Sequence, residues 1–392
     1  MRSIGIFTYS TKPRGSVVHA ACLAEALQRK GVQTTLYALS KAGDGFFRPL
    51  SCDLRLIPAE PAPPDVDALI RQRIAEFRVG IRALAIEHDV CHAEDCLAAN
   101  ALVAAKSELH GALLVRTVHH VEQFDSPYLM DCQKRSVASA DLLLSVSHLT
   151  SREVQAKFGR EAPVISNGVD VQRFAVRSSP EAAQRLKARL GVEEGDLVVL
   201  SVGGVERRKN SLGALQAVAR AFVSQPRLRW VIAGGASIWE HEAYRAEFTS
   251  QLALLPAELR ARITILGTIA ETELTALYQL SDVLLCPSLQ EGFGLCVLEA
   301  LAAKCAVIVP EGAPFDEYLD NRCATFVDPA SASQIAVALV RLLGEPSERR
   351  RFANMGYERV QRYSWDLVAE RHLARYESLL RRDTPALRQQ QF

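Results

Sequence analysis

Two glutamates flank a glycine-rich turn in the second half of the chain. After a strand-like run, Glu291, Gly292 and Gly294 lead into a helical pattern that begins near Leu295, and Glu299 follows about one turn into it. Glycine lets a ligand approach the backbone closely, and a helix N-terminus presents unpaired N–H groups to an anion. Either glutamate alone would also suit a solvated helix. Together with the Gly-Phe-Gly turn between them, they predict a site that grips hydroxyl groups on both sides of a diphosphate.

A second strand-to-helix loop is strongly basic. Arg207, Arg208 and Lys209 stand just before its helix. Guanidinium and ammonium groups pair with phosphate oxygens, so adjacent cations beside a glycine turn predict a phosphate clamp. A basic loop is also common as a solvated surface. The loop lacks the GxGxxG pattern of dinucleotide-binding folds, and the sequence contains no Walker A motif.

Two loops in the first half carry weaker signals. Gly15 joins the first strand-like run to its helix, where it suits contact with a phosphate or sugar, or turn geometry alone. His119 and His120 stand at the end of a later strand-like run, where a histidine can donate a hydrogen bond to a reacting sugar. Because neighbours on a strand point to opposite faces, only one of the pair can face a ligand. Single histidines at such positions are also often structural.

The elements that must position these loops form two alternating series. Strand-like runs, most of them separated by helical patterns, begin at Ile4, Thr34, Asp89, Ala112 and Leu142 in the first half and at Asp196, Arg229, Ile263, Val283 and Cys305 in the second. This alternation predicts parallel sheets with crossover helices, and ligands then bind beyond the carboxyl ends of the strands. We predict one domain over 1–173, a second over 174–364, and a final helix within 365–392 that returns to the first.

The composition excludes several classes of protein. With 392 residues, 48% of them hydrophobic and 23% charged, the chain suits two globular domains rather than a disordered or fibrous protein. A formal net charge of +1 gives no indication of nucleic-acid binding. No apolar run approaches the roughly 20 residues that span a bilayer, and the N-terminus is typical of a first strand rather than a signal peptide. Nine scattered cysteines without a CxxC pair predict reduced thiols in a cytoplasmic protein.

Together these motifs resemble those of the retaining glycosyltransferases of family 4, which have the GT-B fold. The resemblance runs in order along nearly the whole chain and comprises Gly15 in the first loop, Thr117-Val118-His119, Asn167-Gly168-Val169-Asp170 with Arg173-Phe174, the loop from Gly203 to Lys209, and the E-x7-E pair Glu291 and Glu299. The sequence departs from the family at Gly204, where an arginine is usual, and at Asn210, where a glycine is usual.

The resemblance implies two facing Rossmann-like domains with an interdomain cleft and a role for each matched residue. Glu299 would bind the ribose and Lys209 the diphosphate. Apart from the resemblance, we predict that Arg208 replaces the arginine missing at Gly204; the alternative is that Lys209 and the helix N-terminus near Gly294 suffice alone. His119, rather than His120, would lie beside the transferred sugar. The sugar hydroxyls would meet Glu291 and the turn formed by Gly292, Phe293, Gly294 and Leu295, and the nucleobase would lie near Gly267, Thr268 and Ile269.

The implied reaction moves a hexose from a nucleotide-diphosphate sugar, the co-substrate, to an unidentified hydroxyl of a small molecule or glycan. The family generally needs no metal or other cofactor, and the sequence shows no DxD-type pair with the look of a magnesium site. The sequence predicts neither a nucleic-acid partner nor a transmembrane segment, while peripheral membrane contact and oligomeric state stay open. The alternatives are a sugar-nucleotide epimerase, a disaccharide phosphorylase, or a non-catalytic protein that binds sugar nucleotides. A nicotinamide oxidoreductase is disfavoured because its glycine fingerprint is missing.

Overall fold

The computed structural model describes residues 1, 3–41, 43–235 and 242–382. The chain divides into two units, the first formed by Met1–Gly168 together with the residues from Trp365 onward, and the second by Val169–Ser364. Each unit contains one six-stranded sheet, and all the described strand pairs are parallel. The predicted α/β class with two Rossmann-like domains is therefore confirmed.

The first sheet has the strand order β3-β2-β1-β4-β5-β6. Its strands are β1 (Ser3–Thr8), β2 (Gln33–Lys41), β3 (Asp53–Ala59), β4 (Val90–Ala93), β5 (Leu113–Val118) and β6 (Leu142–Ser145). The helices between and after them are α1 (Gly15–Arg29), α2 (Val66–Ala83), α3 (Cys96–Ala104), α4 (Pro127–Ala138) and α5 (His148–Phe158). The central strands are nearly continuous apolar runs because helices cover both faces. In that core Phe7 stacks on Tyr37, with ring centroids 4.6 Å apart.

The second sheet has the order β12-β11-β10-β7-β8-β9. Before it come the helices α6 (Val171–Ala175) and α7 (Pro180–Leu190). Its strands are β7 (Leu197–Val202), β8 (Leu228–Ala233), β9 (Ile263–Gly267), β10 (Val283–Leu285), β11 (Ala306–Pro310) and β12 (Thr325–Val327). The helices among and after them are α8 (Ser211–Phe222), α9 (Glu242–Ala253), α10 (Ala257–Arg260), α11 (Glu271–Leu280), α12 (Leu295–Ala302), α13 (Ala332–Gly344) and α14 (Pro346–Val360). The strand order brings β7 and β10 together, so the loops that follow them are neighbours.

Two strands were not predicted from the sequence, and both lie at an edge of their sheet. The outer strand β3 contains Pro58 and exposes much of its length, which an edge strand tolerates because one side makes no ladder. At the edge of the second sheet, β12 has only three residues. Neither segment shows the long apolar run by which the buried strands are recognised.

The last helix, α15 (Trp365–Arg382), belongs to the first unit. Its Asp366 accepts hydrogen bonds from Arg29 at 2.6 and 3.0 Å, and the ring of its Trp365 lies 5.2 Å from that of His19. The second unit begins at Val169, slightly before the position after 173 that the sequence suggests. The reason is α6, whose Phe174 packs edge-on against Tyr278 of the second unit.

Candidate active site

A basic loop and an acidic loop meet at the carboxyl end of the second sheet. Lys209, in the loop after β7, places its Nζ 2.6 Å from Oε2 of Glu291, in the loop after β10. The two side chains are only 16% and 13% exposed. Burial opposes the charge on Lys209, but the Glu291 carboxylate raises the pKa of Lys209 above its usual value. The structure therefore joins two residues that the sequence places in separate loops.

The neighbouring arginines differ in their surroundings. Arg208 is 39% exposed and places its Nη1 3.4 Å from Glu291 and its Nη2 3.5 Å from the buried Glu206. Arg207 is exposed and stands over the ring of Tyr244, with Cζ 5.7 Å from the ring centroid. Arg208 thus lies with Lys209 around the Glu291 carboxylate, and Arg207 does not take part in that cluster. Glu206 was not singled out in the sequence.

Glycine at two positions allows these loops to take their shape. Gly203 has φ +124°, and a Cβ there would lie 3.0 Å from Cε of Lys209. Gly294 caps the start of α12 with φ +93°, and a Cβ there would lie 2.7 Å from Phe315. Side chains rarely adopt these backbone conformations. Because Gly203 has no side chain, the aliphatic part of Lys209 has room beside it. Gly294 ends the turn at the point where α12 begins, and the N-terminus of that helix can bind an anion.

Phe293, between the two glycines of the turn, contributes a packed ring. It is buried and stacks on Tyr318, with centroids 4.7 Å apart. Its carbonyl oxygen accepts a hydrogen bond of 2.8 Å from the Tyr318 hydroxyl. The side chain and carbonyl therefore anchor the turn, and binding of a ligand at Gly292, Gly294 and Leu295 stays a prediction.

Glu299 lies on α12 and is held from one side. Its Oε2 accepts a hydrogen bond of 2.7 Å from the Tyr278 hydroxyl. Burial raises the pKa of Glu299, although the hydrogen bond from Tyr278 and the charge of Arg173 act in the opposite direction. Arg173 itself pairs with Glu271, Nη1 to Oε1 at 2.6 Å. Glu299 is half-buried as a residue, and the Tyr278 hydroxyl holds its carboxylate in place.

The segment predicted to bind the nucleobase lies at the end of β9, which is an edge strand of the second sheet. Gly267 ends β9 with φ +67°, and its carbonyl accepts a hydrogen bond of 2.8 Å from the N–H of Gly234. Thr268 is exposed and Ile269 half-buried. No described contact joins this segment to Glu299, so its role with a nucleobase stays a prediction.

In the first unit, one carboxylate gathers three histidines. Glu94 follows β4 and is completely buried, and its Oε2 lies 2.9 Å from both Nε2 of His119 and Nδ1 of His19. Its Oε1 lies 3.7 Å from Nε2 of His92. His120 points elsewhere: it is 43% exposed and contacts Glu122 at 2.6 Å. β5 ends at Val118, so the two histidines follow the strand instead of lying on it. They still differ in exposure, since the side chain of His119 is 13% exposed and that of His120 is 43% exposed.

Electrostatics in this cluster keep the carboxylate charged and His119 neutral. Burial alone would raise the pKa of Glu94, but the surrounding histidines lower it well below its usual value. Burial lowers the pKa of His119 to about 4, even though Glu94 acts to raise it. The buried guanidinium of Arg116 interacts electrostatically with Glu94 and with Asp95. Burial raises the pKa of Asp95 to about 6.

Gly15 is the first residue of α1, and a Cβ there would meet no described atom within 4 Å. Packing therefore does not require glycine at this position, and its φ is not positive. An open backbone at a helix N-terminus remains suited to a phosphate or sugar, which is a prediction for this residue.

Comparison with known proteins decides the family. The family model described as "Glycosyltransferase Family 4" matches residues 13–173, and the one described as "Glycosyl transferases group 1" matches residues 183–359. The chain belongs to glycosyltransferase family 4.

Among relatives of this glycosyltransferase is the MMP alpha-(1->4)-mannosyltransferase of Mycolicibacterium hassiacum, 27% identical over 323 residues, which are 76% of this chain and 72% of the relative. A D-inositol 3-phosphate glycosyltransferase of Corynebacterium glutamicum is 24% identical over 91% of this chain and 89% of its own. An uncharacterized glycosyltransferase of Methanocaldococcus jannaschii is 23% identical over 94% of this chain and 96% of its own.

Solved structures share the fold of this glycosyltransferase. HepE of Anabaena, in complex with UDP and glucose, has a TM-score of 0.79 at 18% identity, over 96% of this chain and 100% of HepE. The sucrose-phosphate synthase of Thermosynechococcus elongatus has a TM-score of 0.78 at 20% identity, over 97% of this chain and 99% of its own. Within the part that the structure describes, no helix of the glycosyltransferase has the length and apolar character needed to cross a bilayer.

Proposed function

We propose that this glycosyltransferase moves a hexose from a nucleotide-diphosphate sugar to an acceptor hydroxyl, with retention of anomeric configuration and without a bound metal. The observation that carries the proposal is the cluster of Lys209, Arg208 and Glu291 beside the N-terminus of α12. HepE, whose fold is similar, has been solved with UDP-glucose, and such a donor suits the groups gathered here.

The chemistry needs stabilisation of a leaving group more than it needs a strong base. As the bond between the anomeric carbon and the diphosphate oxygen breaks, its electron pair passes to the diphosphate. Lys209, Arg208 and the positive end of the α12 dipole would stabilise that charge, as a metal ion does elsewhere. The acceptor oxygen then bonds to the anomeric carbon on the face that the diphosphate leaves, and its proton passes to a departing phosphate oxygen.

The two glutamates would bind the parts of the donor on either side of the diphosphate, namely the ribose and the sugar. Glu299 is half-buried and its carboxylate is fixed by Tyr278, which suits hydrogen bonds from ribose hydroxyls. Glu291 is bound to Lys209 and would accept hydrogen bonds from sugar hydroxyls while Lys209 meets the phosphate. In this division each carboxylate is held by groups of the protein and also contacts a different part of the donor.

A panel of UDP-, GDP- and ADP-sugars, scored by thermal shift, tests donor binding, because a ligand that binds only the native state raises its melting temperature. Product analysis with the stabilising donor then separates the alternatives. An epimerase changes the donor without an acceptor, a phosphorylase requires inorganic phosphate for the reverse reaction, and a binding protein produces nothing. An inverted anomeric centre in the product would refute retention. Loss of transfer on adding EDTA, restored by a divalent cation, would refute metal independence.

A further inference from the structure

The Glu94 carboxylate is enclosed by groups from several elements. His19 of α1 and His119 meet its Oε2, each at 2.9 Å, while His92 of β4 stands 3.7 Å from its Oε1. Arg116 of β5 and His372 of α15 act on the cluster electrostatically. A carboxylate with no exposed surface is costly unless surrounding groups donate to it or carry opposite charge. Its position therefore indicates a specific task for the carboxylate.

His92 is held in place by other partners. Its Nδ1 lies 2.7 Å from the Tyr376 hydroxyl of α15, and its Nε2 lies 2.8 Å from Oγ1 of Thr117. Both of its ring nitrogens are therefore engaged by hydroxyl groups. Glu94 directs its hydrogen-bonding oxygen at His119, the histidine of the group that keeps some exposure, 13% of its side chain.

The arrangement decides which nitrogen of His119 carries the proton. Nε2 of His119 lies 2.9 Å from Oε2 of Glu94, within hydrogen-bond distance. A carboxylate accepts hydrogen bonds and cannot donate them, so the proton of the neutral ring sits on Nε2. The other nitrogen, Nδ1, is then an acceptor.

We propose that Glu94 is a positioning residue that fixes His119 as the Nε2–H tautomer, so that Nδ1 accepts a hydrogen bond from a substrate hydroxyl. The inference rests on the proposed transferase function and refines it. It also reverses the direction of the hydrogen bond that the sequence predicts, in which the histidine donates to the sugar. Glu94 acts through His119 and needs no contact with the substrate.

One competing use of the cluster is metal binding. Within the described residues, His19, Glu94 and His119 offer three ligand atoms within 4.8 Å of one another. Two neutral imidazoles and a carboxylate form a known zinc-ligand set. In that case neither nitrogen facing Glu94 would carry a proton, and the tautomer argument would not hold.

Nuclear magnetic resonance of protein labelled with nitrogen-15 histidine tests the inference, with His119→Asn used to assign the His119 signals. Wild-type His119 should show the Nε2–H tautomer near neutral pH, because its Nε2 faces the Glu94 carboxylate. In Glu94→Gln the amide N–H can donate to Nε2, so the Nδ1–H tautomer should appear. Glu94→Asp, which keeps the charge, should restore part of the wild-type signal.

Transfer assays supply the functional readout. Glu94→Gln should lower kcat roughly 10- to 100-fold, as expected for one lost charge-assisted hydrogen bond, with nucleoside diphosphate affinity nearly unchanged. Glu122→Gln is the matched control, because Glu122 is the carboxylate partner of the exposed His120, and it should change neither tautomer nor rate. Partial recovery of kcat in Glu94→Asp would distinguish positioning from a loss of folding.

An Nδ1–H tautomer in the wild-type protein overturns the inference, and that spectrum decides even if Glu94→Gln fails to fold. An unchanged tautomer in folded Glu94→Gln overturns it as well. Stoichiometric zinc in the purified protein, absent from Glu94→Gln and from His119→Asn, would assign the cluster to a metal instead. Failure of the proposed function looks different: wild type then neither binds nor turns over any nucleotide sugar, whatever its tautomer.

Discussion

Lys209 donates a hydrogen bond of 2.6 Å to Glu291, so the side chain assigned to the diphosphate and the one assigned to the sugar hold each other. A pair that is mostly buried loses little side-chain entropy when a ligand arrives, because both groups are already ordered. A donor need not break the pair, because an ammonium group has three donors and a carboxylate two acceptor oxygens. Substitution of either residue should therefore disturb the other.

The two glutamates should fail in different ways. Glu299→Ala should weaken nucleoside diphosphate binding by about 1.5–3 kcal/mol, the value of a hydrogen bond to a charged group. Glu291→Ala should mainly lower turnover, because its partner on the donor is the reacting sugar. Calorimetry with the nucleoside diphosphate measures the first effect and steady-state kinetics the second. Equal losses of nucleotide affinity in the two variants would contradict the division.

Arg208 and Arg207 form a matched pair for testing the diphosphate clamp. Arg208→Ala should cut transfer strongly, since Arg208 lies with Lys209 around Glu291 and would supply the charge that Gly204 lacks. Arg207→Ala should have little effect, because an exposed cation contributes only about 0–1 kcal/mol. Gly204→Arg should partly rescue Arg208→Ala.

The measurement for this pair is kcat/KM at limiting donor together with kcat at saturation. Rates of Arg208→Ala close to wild type under both conditions would mean that Lys209 and the N-terminus of α12 stabilise the diphosphate without it.

The adjacent histidines give a third comparison. His119→Ala should lower transfer by at least tenfold, about the effect of one lost hydrogen bond to a reacting substrate, whereas His120→Ala should retain it. The reason is that His119 is enclosed with Glu94 while His120 is largely exposed. Rates are compared at saturating donor, with melting temperatures as the control for folding. Loss of activity in His120→Ala alone would show that the assignment of the two residues is reversed.

Asp196 should make the second unit sensitive to acid. Burial opposes its ionisation, but hydrogen bonds from the Glu193 N–H and from the side chains of Arg229 and Arg262 lower its pKa to about 2. A lowered carboxyl pKa stabilises the fold above the unfolded-state value, and the stabilisation is lost as the pH falls through the folded-state value. Asp196→Asn should therefore lower the free energy of unfolding by about 1–3 kcal/mol near neutral pH.

The difference in free energy of unfolding between Asp196→Asn and wild type should stay constant above about pH 5 and become smaller below about pH 4. Melting temperatures across this range measure it. Asp44→Asn is the control, because Asp44 pairs with Lys12 at an exposed site and should shift stability by about 0–1 kcal/mol at every pH. A stability difference between Asp196→Asn and wild type that grows in acid would contradict a lowered pKa of Asp196.

The sequence predicts the elements whose burial requires a recognisable pattern of apolar residues. Central strands such as β1 and β7 are apolar along most of their length because helices cover both faces. The edge strands β3 and β12 carry no comparable signal, because β3 is partly exposed and β12 has only three residues. The loops at strand ends were found because glycines and charges interrupt the apolar runs there.

Contacts between distant segments could not be predicted in the same way. Lys209 and Glu291 are 82 positions apart, and they meet because β7 pairs with β10, an order that the residues of neither strand encode. Glu94 is the last residue of the predicted strand-like run that begins at Asp89, and an acidic residue at a strand end is a signal that could have been used. Its enclosure depends on α1, β5 and α15 together, and the bond between His92 and Tyr376 joins positions 284 apart.

The membership of α15 in the first unit sets the order in which the nascent protein matures. All of Val169–Ser364 is synthesised before Trp365, so the second unit has every residue of its own before the first does. Domains generally fold as units during synthesis. Until α15 emerges, His19 lacks the Trp365 ring that lies against it, and His92 lacks the Tyr376 hydroxyl. On the ribosome the unit that is translated first is therefore completed last, and its histidine cluster gains the contacts of α15 only after that helix has been translated.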